Sequence, residues 1–335
     1  MSLPEQQTRV ALARYPDGVP VEDDFAMDTS PLPQPGDGQI LVRNRYLSLD
    51  PFLRGVISGR QIYAQKVEPG DTMPGNTVSE VLESKQPGIN AGDFVVCDGG
   101  WQQYAAVPAE TARKVDPDAD LLSLRVGVLG MPGLTAYAGL LRLAQPAVGD
   151  TVVVSAASGP VGSMVGQIAR IKGCRVVGIA GSEQKCRWVV EELGFDACIN
   201  YKTEDLDEKL GEHCPDKVNI YFDNVGGDTL AVVLRHLALG ARVTLCGMIT
   251  QYNKSETPPG PNLGPVIGAR AIMKGLVVYD HYDLWEQFST DAGHWIRNGD
   301  IRHREVRSDG LGKAAEAFCR LMRGENFGKE LVVIE

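Results

Sequence analysis

Short apolar runs punctuated by Pro and Gly fill roughly the first third of the chain: Ile40-Leu41-Val42, Thr77-Val78, Phe94-Val95-Val96 and Tyr104-Ala105-Ala106-Val107. Brief runs between turn formers predict short strands and a β-rich domain. From Leu129 the pattern shifts to small-residue helix signals, then to apolar runs alternating with amphipathic stretches. That alternation marks a parallel sheet covered by helices. Strands are predicted at 151–157, 175–181, 197–200, 218–224, 242–247 and 271–279, with helices at 160–172, 183–193 and 228–237. Six such strands match a doubly wound Rossmann sheet, so the expected fold class is α/β with a β-rich partner domain. After the basic turn Arg302-His303-Arg304 come a helix at 312–323 and a strand at 328–334, a tail expected to pack back onto the first domain. The expected domains are 1–125, 126–300 and 301–335.

Composition narrows the function classes. With 335 residues, 43% of them hydrophobic, the chain holds enough for two cores at about 150 residues per domain. A formal net charge of −10 without basic runs at either end argues against nucleic acid as a partner. Apolar stretches such as 152–157 and 176–180 fall far below the ~20 residues of a membrane span, and the opening MSLPEQQTRV has no signal-peptide core. A cytoplasmic protein with no membrane partner is expected. Seven cysteines, Cys97, Cys174, Cys186, Cys198, Cys214, Cys246 and Cys319, are scattered and never spaced C-x-x-C, which predicts free thiols in a reducing compartment.

The segment TVVVSAASGPVGSMVGQIARIKGCRVVGIAGS, residues 151–182, sets a glycine-rich turn between a buried strand and a helix. Ala157, Gly159 and Gly162 take the three small positions of G-x-G-x-x-G, where backbone must approach a pyrophosphate closely. Pro160 suits the first helical turn, and the free N–H groups beyond it, including that of Val161, can receive phosphate oxygens. About 20 residues on, where an acid would bind the ribose 2′-OH of NAD, stand Gly181-Ser182-Glu183-Gln184-Lys185. Ser182 and Lys185 instead offer a hydroxyl, backbone N–H and ammonium to a 2′-phosphate, which points to NADPH/NADP. Glu183 keeps an NAD reading open beside that of a first-turn acid facing the helix dipole. Lys185 also fits an ordinary solvated helix lysine.

With RNRYLSLDPFLRG (43–55), AASGPVGSMVGQIA, GSEQKC, LGFDACINYKT, YFDNVGGDTL, CGMITQYN, PPGP and GENFGK, the chain resembles the leukotriene B4 12-hydroxydehydrogenase/prostaglandin reductase group of zinc-free medium-chain dehydrogenases/reductases. Its pattern is close to the bacterial curcumin reductase type. The resemblance implies a GroES-like catalytic domain, a Rossmann domain, a homodimer, and an NADPH-dependent enzyme that reduces the carbon–carbon double bond of an α,β-unsaturated carbonyl compound. Cofactor contacts implied by motif are Gly159, Pro160, Val161, Gly162, Lys185, Tyr201, Asn224, Cys246, Gly247, Met248, Ile249, Thr250, Gln251, Val277, Val278, Tyr279 and Asn326. Tyr201 also fits a core cap, and Asn224 and Asn326 also fit ordinary turn formers.

Zinc-dependent relatives use an early Cys, a His-Glu pair and a further Cys or acid; here Asn76 stands in Pro74-Gly75-Asn76-Thr77 where the ligand histidine would be. His213, His236, His281, His294 and His303 show no paired ligand spacing, and no metal is expected. Without one, a hydrogen-bond donor must stabilise the enolate oxygen left by hydride addition. Tyr252, in the loop after the fifth Rossmann strand, is the candidate catalytic donor, with a packing role on the domain interface as its alternative. Tyr46, Pro51, Phe52, Tyr63 and Met131 are weaker candidates for the substrate cleft, Tyr63 also for a mobile lid. Asp50 and Arg54 are expected to anchor a loop as an ion pair. A quinone reductase on the same scaffold, or a non-catalytic NADPH-binding protein, is the alternative function.

Overall fold

The computed structural model describes residues 3–60, 66–118, 121–256 and 258–334. Two units emerge: Met1–Gly127 with Glu305–Glu335, and Val128–Arg304. The first opens with β1 (Gln6–Leu12) and β2 (Phe25–Pro31), an antiparallel pair with Leu12 opposite Phe25. There follow β3 (Gln39–Ser48), the short helix α1 (Leu53–Val56), β4 (Thr77–Ser84), β5 (Phe94–Cys97), β6 (Tyr104–Pro108) and β7 (Arg113–Val115). Inward positions alternate along them: Ile40, Val42, Val81, Val95, Cys97, Ala105 and Val107 form one buried cluster.

The second unit begins with α2 (Met131–Tyr137) and then alternates strand and helix: β8 (Thr151–Ser155), α3 (Pro160–Ile171), β9 (Arg175–Ala180), α4 (Glu183–Glu191), β10 (Ala197–Asn200), α5 (Leu206–His213), β11 (Val218–Asp223), α6 (Gly227–Leu234) and β12 (Leu237–Leu245). After β12 come α7 (Ile249–Tyr252), α8 (Gly264–Ala269), β13 (Ile272–Gly275) and α9 (Trp285–Arg297). All pairings in this sheet are parallel, in the order β10-β9-β8-β11-β12-β13. Strand order reverses between β8 and β11, the switch point at which doubly wound sheets open a crevice outside the strand ends. Val152, Val153 and Val154 are wholly buried, as a strand covered on both faces requires.

The chain then returns to the first unit with β14 (Glu305–Asp309), α10 (Ala314–Met322) and β15 (Lys329–Val333). β15 pairs antiparallel with β3 and parallel with β14, and the sheet runs β14-β15-β3-β4-β5-β7 with β6 on β3. Phe318 of α10 joins Phe25 and Trp101 in an aromatic cluster, its ring centroids 5.9 and 5.7 Å from theirs. Differences from the sequence expectations are local. Helix 228–237 stops at Leu234 because β12 starts at Leu237, and strand 271–279 shortens to Ile272–Gly275. Helix α5, unpredicted, buries only Leu210, so its apolar period is weak; Asp205 caps it by accepting from Glu208 N at 3.0 Å.

Candidate active site

The glycine-rich turn joins β8 to α3 with no slack. Ala156 takes a left-handed conformation, φ +51°, unusual for a residue with a Cβ. Ala157 N donates to Ile179 O (3.0 Å) and Gly159 N to Ala156 O (2.9 Å). A Cβ at Gly162 would lie 2.4 Å from Ala156 O, so only glycine lets the helix sit this close to the strand end. Gly159 caps α3 and Pro160 fills its first turn, so Val161 and Gly162 present their backbone N–H groups at the positive end of a twelve-residue helix.

At the end of β9, Gly181 stands where an acid would bind a ribose diol, and a Cβ there would come within 3.1 Å of the Tyr201 ring. Ser182 caps α4, accepting from Lys185 N at 3.2 Å. Burial first, and then the charge of Lys202, hold the half-buried Lys185 ammonium below the usual lysine value. Two cationic side chains thus share this strand end, where they add positive potential. In the sequence Lys202 carries no signal beyond its place next to Tyr201. The exposed Glu183 carboxylate is held by Arg187 at 2.7 Å, one helical turn on, which favours the reading of a first-turn surface acid.

Asp223, fully buried at the end of β11, organises the crevice side of the sheet. It accepts from Ser155 Oγ (3.0 Å), Tyr221 OH (2.7 Å), Val225 N (3.0 Å) and Gly226 N (3.0 Å). Ser155 Oγ in turn accepts from Asn224 N, while Asn224 Nδ2 donates to Ser155 O, each at 2.8 Å. Asn224 is therefore pinned at the switch point between β8 and β11. Sequence reasoning passed over Asp223, because a carboxylate inside an apolar strand declares no partner until the fold supplies its four donors.

Beyond β12, Cys246 N donates to Asp223 O (2.8 Å), and burial with the Asp223 charge pushes the Cys246 thiol up to about 12. Thr250 Oγ1 donates to Val225 O (2.7 Å), locking the start of α7 onto the turn after β11. Tyr252 folds back over this loop: its hydroxyl accepts from Met248 N at 3.3 Å and lies 3.3 Å from where a Cβ on Gly247 would be. A phenol hydroxyl can both accept and donate a hydrogen bond. Ile249 and Gln251 lie on the same short helix, while Val277, Val278 and Tyr279 follow β13, where Leu276 N donates to Leu245 O (2.9 Å). Parallel topology thus gathers the turns after β8, β11, β12 and β13 at one edge of the sheet.

Of the remaining candidates, Tyr46, Pro51, Phe52 and Asn326 belong to the first unit and Met131 opens α2 in the second. Tyr46 packs against the buried Val78–Leu331 cluster, and Asn326 Nδ2 donates to Gly328 O (3.0 Å). Tyr63 lies outside the described residues. The expectation for Asp50 needs correcting: its ion-pair partner is Lys329, with Nζ 2.8 Å from Oδ1, whereas Arg54 donates to the carbonyls of Pro16 (3.2 Å) and Gly18 (2.9 Å). β15 brings a buried lysine beside the loop, which a local reading of LSLDPFLR had no means to include.

The first unit does not fit a catalytic zinc. Asn76 donates its amide to Asp98, and burial raises the Cys97 thiol, which packs against the hydroxyls of Thr77 and Ser79. Among the described residues no group of three or more His, Cys, Asp and Glu is placed to hold a metal ion.

Residues 8–115 match the family described as N-terminal domain of oxidoreductase, and residues 160–295 the one described as zinc-binding dehydrogenase. The NADPH-dependent curcumin reductase of Escherichia coli is 41% identical, covering 98% of this chain and 97% of that protein. The NADP-dependent 2-alkenal reductase of Nicotiana tabacum is 40% identical over 97% of each chain. The solved structure of CurA in complex with NADPH from Vibrio vulnificus superposes with a TM-score of 0.93 at 41% identity, covering 98% of this chain and 99% of that one.

Proposed function

Since the chain belongs to the prostaglandin reductase group of the medium-chain dehydrogenases/reductases, we propose that it is an NADPH-dependent oxidoreductase that saturates the carbon–carbon double bond of α,β-unsaturated aldehydes and ketones. Curcumin and 2-alkenals, the compounds named for two of its relatives, share one reacting group, an alkene conjugated to a carbonyl. The observation that carries the cofactor assignment is the end of β9, where Gly181 replaces an acid and Lys185 lies under the charge of Lys202. A 2′-phosphate is the anion that positive charge at this strand end favours.

The residues fit the dinucleotide. Gly162 lets α3 start hard against the turn, the N–H groups of the α3 first turn would hold its pyrophosphate, and Ser182, Lys185 and Tyr201 would hold its adenosine end. Bound NADPH supplies the hydride that reaches the β-carbon of the alkene. Tyr252, fixed by Met248 N, donates its O–H to the substrate oxygen as negative charge builds there. The α-carbon takes its proton from water or from the same phenol.

Loss of reduced-nicotinamide absorbance with 2-alkenals, enones and quinones, each with NADPH and with NADH, tests the reading. The expected result is turnover of enals and enones with NADPH and identification of the saturated carbonyl compound. Turnover of quinones alone would make it a quinone reductase, and binding without turnover a non-catalytic NADPH-binding protein. Lys185→Ala is expected to raise the KM for NADPH roughly ten- to a hundredfold, the equivalent of one charge-assisted hydrogen bond of about 1.5–3 kcal/mol, while the KM for NADH stays near its original value.

Seven free thiols support a cytoplasmic setting. A homodimer is supported by β13, an edge strand whose Ile272 is 65% exposed, and by Ile267 of the preceding helix α8 at 78%. Ile272→Asp is expected to shift sedimentation from dimer to monomer; a wild-type chain already sedimenting as a monomer would remove this assignment. Among the described residues no helix is long and apolar enough to cross a membrane.

A further inference from the structure

One thiol pair stands beside the adenosine end of the cofactor site without a part in the proposed reaction. Cys186 lies in the first turn of α4, directly after Lys185, and Cys198 lies on β10, three residues before Tyr201. Their Sγ atoms are 2.9 Å apart, with the Cys198 S–H donating to Cys186, and both residues are half-buried. From this placement we propose that Cys186 and Cys198 form a reversible disulfide under hydrogen peroxide, and that its closure weakens NADPH binding.

The surroundings assign the roles. The hydrogen bond from Cys198, with a weaker one from the Ala180 backbone N–H, outweighs burial and the Glu204 charge and holds the Cys186 thiol below the ordinary range; it lies in the first turn of a nine-residue helix. The same hydrogen bond, then burial, pushes the Cys198 thiol up. The Cys186 thiol ionises, and its thiolate attacks one oxygen of hydrogen peroxide and breaks the O–O bond, giving a sulfenic acid and hydroxide, which becomes water with the proton the thiol had released to solvent. The sulfur of Cys198 then attacks the sulfenic sulfur; the departing hydroxide takes the Cys198 proton, and the S–S bond closes with a second water. Two thiols lose two electrons and two protons, and one peroxide becomes two waters. Attack by an external dithiol reverses the step by exchange.

Closure strains the packing of α4 on the sheet. Cys198 is in register with Gly178 of β9, and a Cβ on Gly178 would stand 3.3 Å from Cys198 Sγ, 3.1 Å from Val189 Cγ1 of α4 and 2.9 Å from Ala157 Cβ, so strand, helix and phosphate loop are packed together here without slack. Drawing the sulfurs from 2.9 Å to a bond of about 2.05 Å shifts the turn of α4 that carries Lys185, whose ammonium the proposed function places on the 2′-phosphate. The modification stands on the thiol geometry alone; its effect on affinity rests on that reading of the site.

The test uses the full chain, reduced, then treated with hydrogen peroxide, blocked with N-ethylmaleimide and mapped as peptides without reductant. A linked peptide joining Cys186 to Cys198, two hydrogens lighter than the reduced pair and restored by dithiothreitol, is expected, together with a roughly tenfold rise in the NADPH Kd as a charge-assisted contact loosens. In Cys198→Ser the oxidation should stop at a sulfenic acid that dimedone traps on residue 186, and in Cys186→Ser it should leave Cys198 as a thiol. Full alkylation of both cysteines after peroxide overturns the proposal. A disulfide that forms while the NADPH Kd holds within twofold overturns its regulatory half. If the reduced protein fails to bind NADPH at all, the proposed function falls while the peptide map still decides the disulfide.

Discussion

Tyr252→Phe is expected to lower kcat for an enone by about a hundred- to a thousandfold, the usual cost of removing one preorganised donor to a developing oxyanion. The substitution deletes one oxygen from a hydroxyl that sits 3.3 Å from Met248 N on the loop after β12. That contact is long, and the ring that covers Gly247 is retained, so the NADPH Kd should change less than threefold. Because the donor acts on charge present only in the transition state, the KM for the enone should change little while kcat falls. Single-turnover rates with saturating NADPH separate the chemical step from release. A variant that retains full turnover with normal NADPH binding assigns Tyr252 to loop packing alone.

Lys329→Met is expected to destabilise the protein by about 3–5 kcal/mol, read from denaturant unfolding followed by tryptophan fluorescence. Lys329 is 2% exposed, and its ammonium donates to Asp50 Oδ1 at 2.8 Å and to Leu49 O at 2.6 Å. Asp50 also accepts from Ser48 Oγ at 2.5 Å, so the carboxylate is held in place after its cation is removed. An uncompensated buried charge is the costly product, more than the loss of the pair itself. Adding Asp50→Asn to Lys329→Met should therefore recover part of the loss. Equal unfolding midpoints for the wild type and the single variant would show that the ion pair contributes nothing to the fold.

These two sites mark how far sequence reasoning reaches. The inner parallel strands are legible because a strand covered on both faces must be a continuous apolar run, and Val152, Val153 and Val154 of β8 are such a run. The glycine-rich turn is legible because close backbone approach leaves residue choice no freedom at Gly162. Features made by partners distant in sequence are not legible. Asp50 meets Lys329 across 279 positions, and Asp223 takes a hydroxyl hydrogen bond from Ser155 across 68. Helix α5 escapes for a different reason, since a helix resting on the sheet mainly through Leu210 hardly needs an apolar stripe. Lys202 escapes because a lysine after a strand is ordinary until a second lysine is found beside it.

The most direct test of the account follows the hydride itself. NADPH deuterated at its transferable position is incubated with the protein and a simple enone, and the product is read by NMR. The expected product is a saturated ketone with deuterium on the β-carbon and an untouched carbonyl, with no such product from NADH at matched concentration. Deuterium on the carbonyl carbon of an allylic alcohol would contradict it.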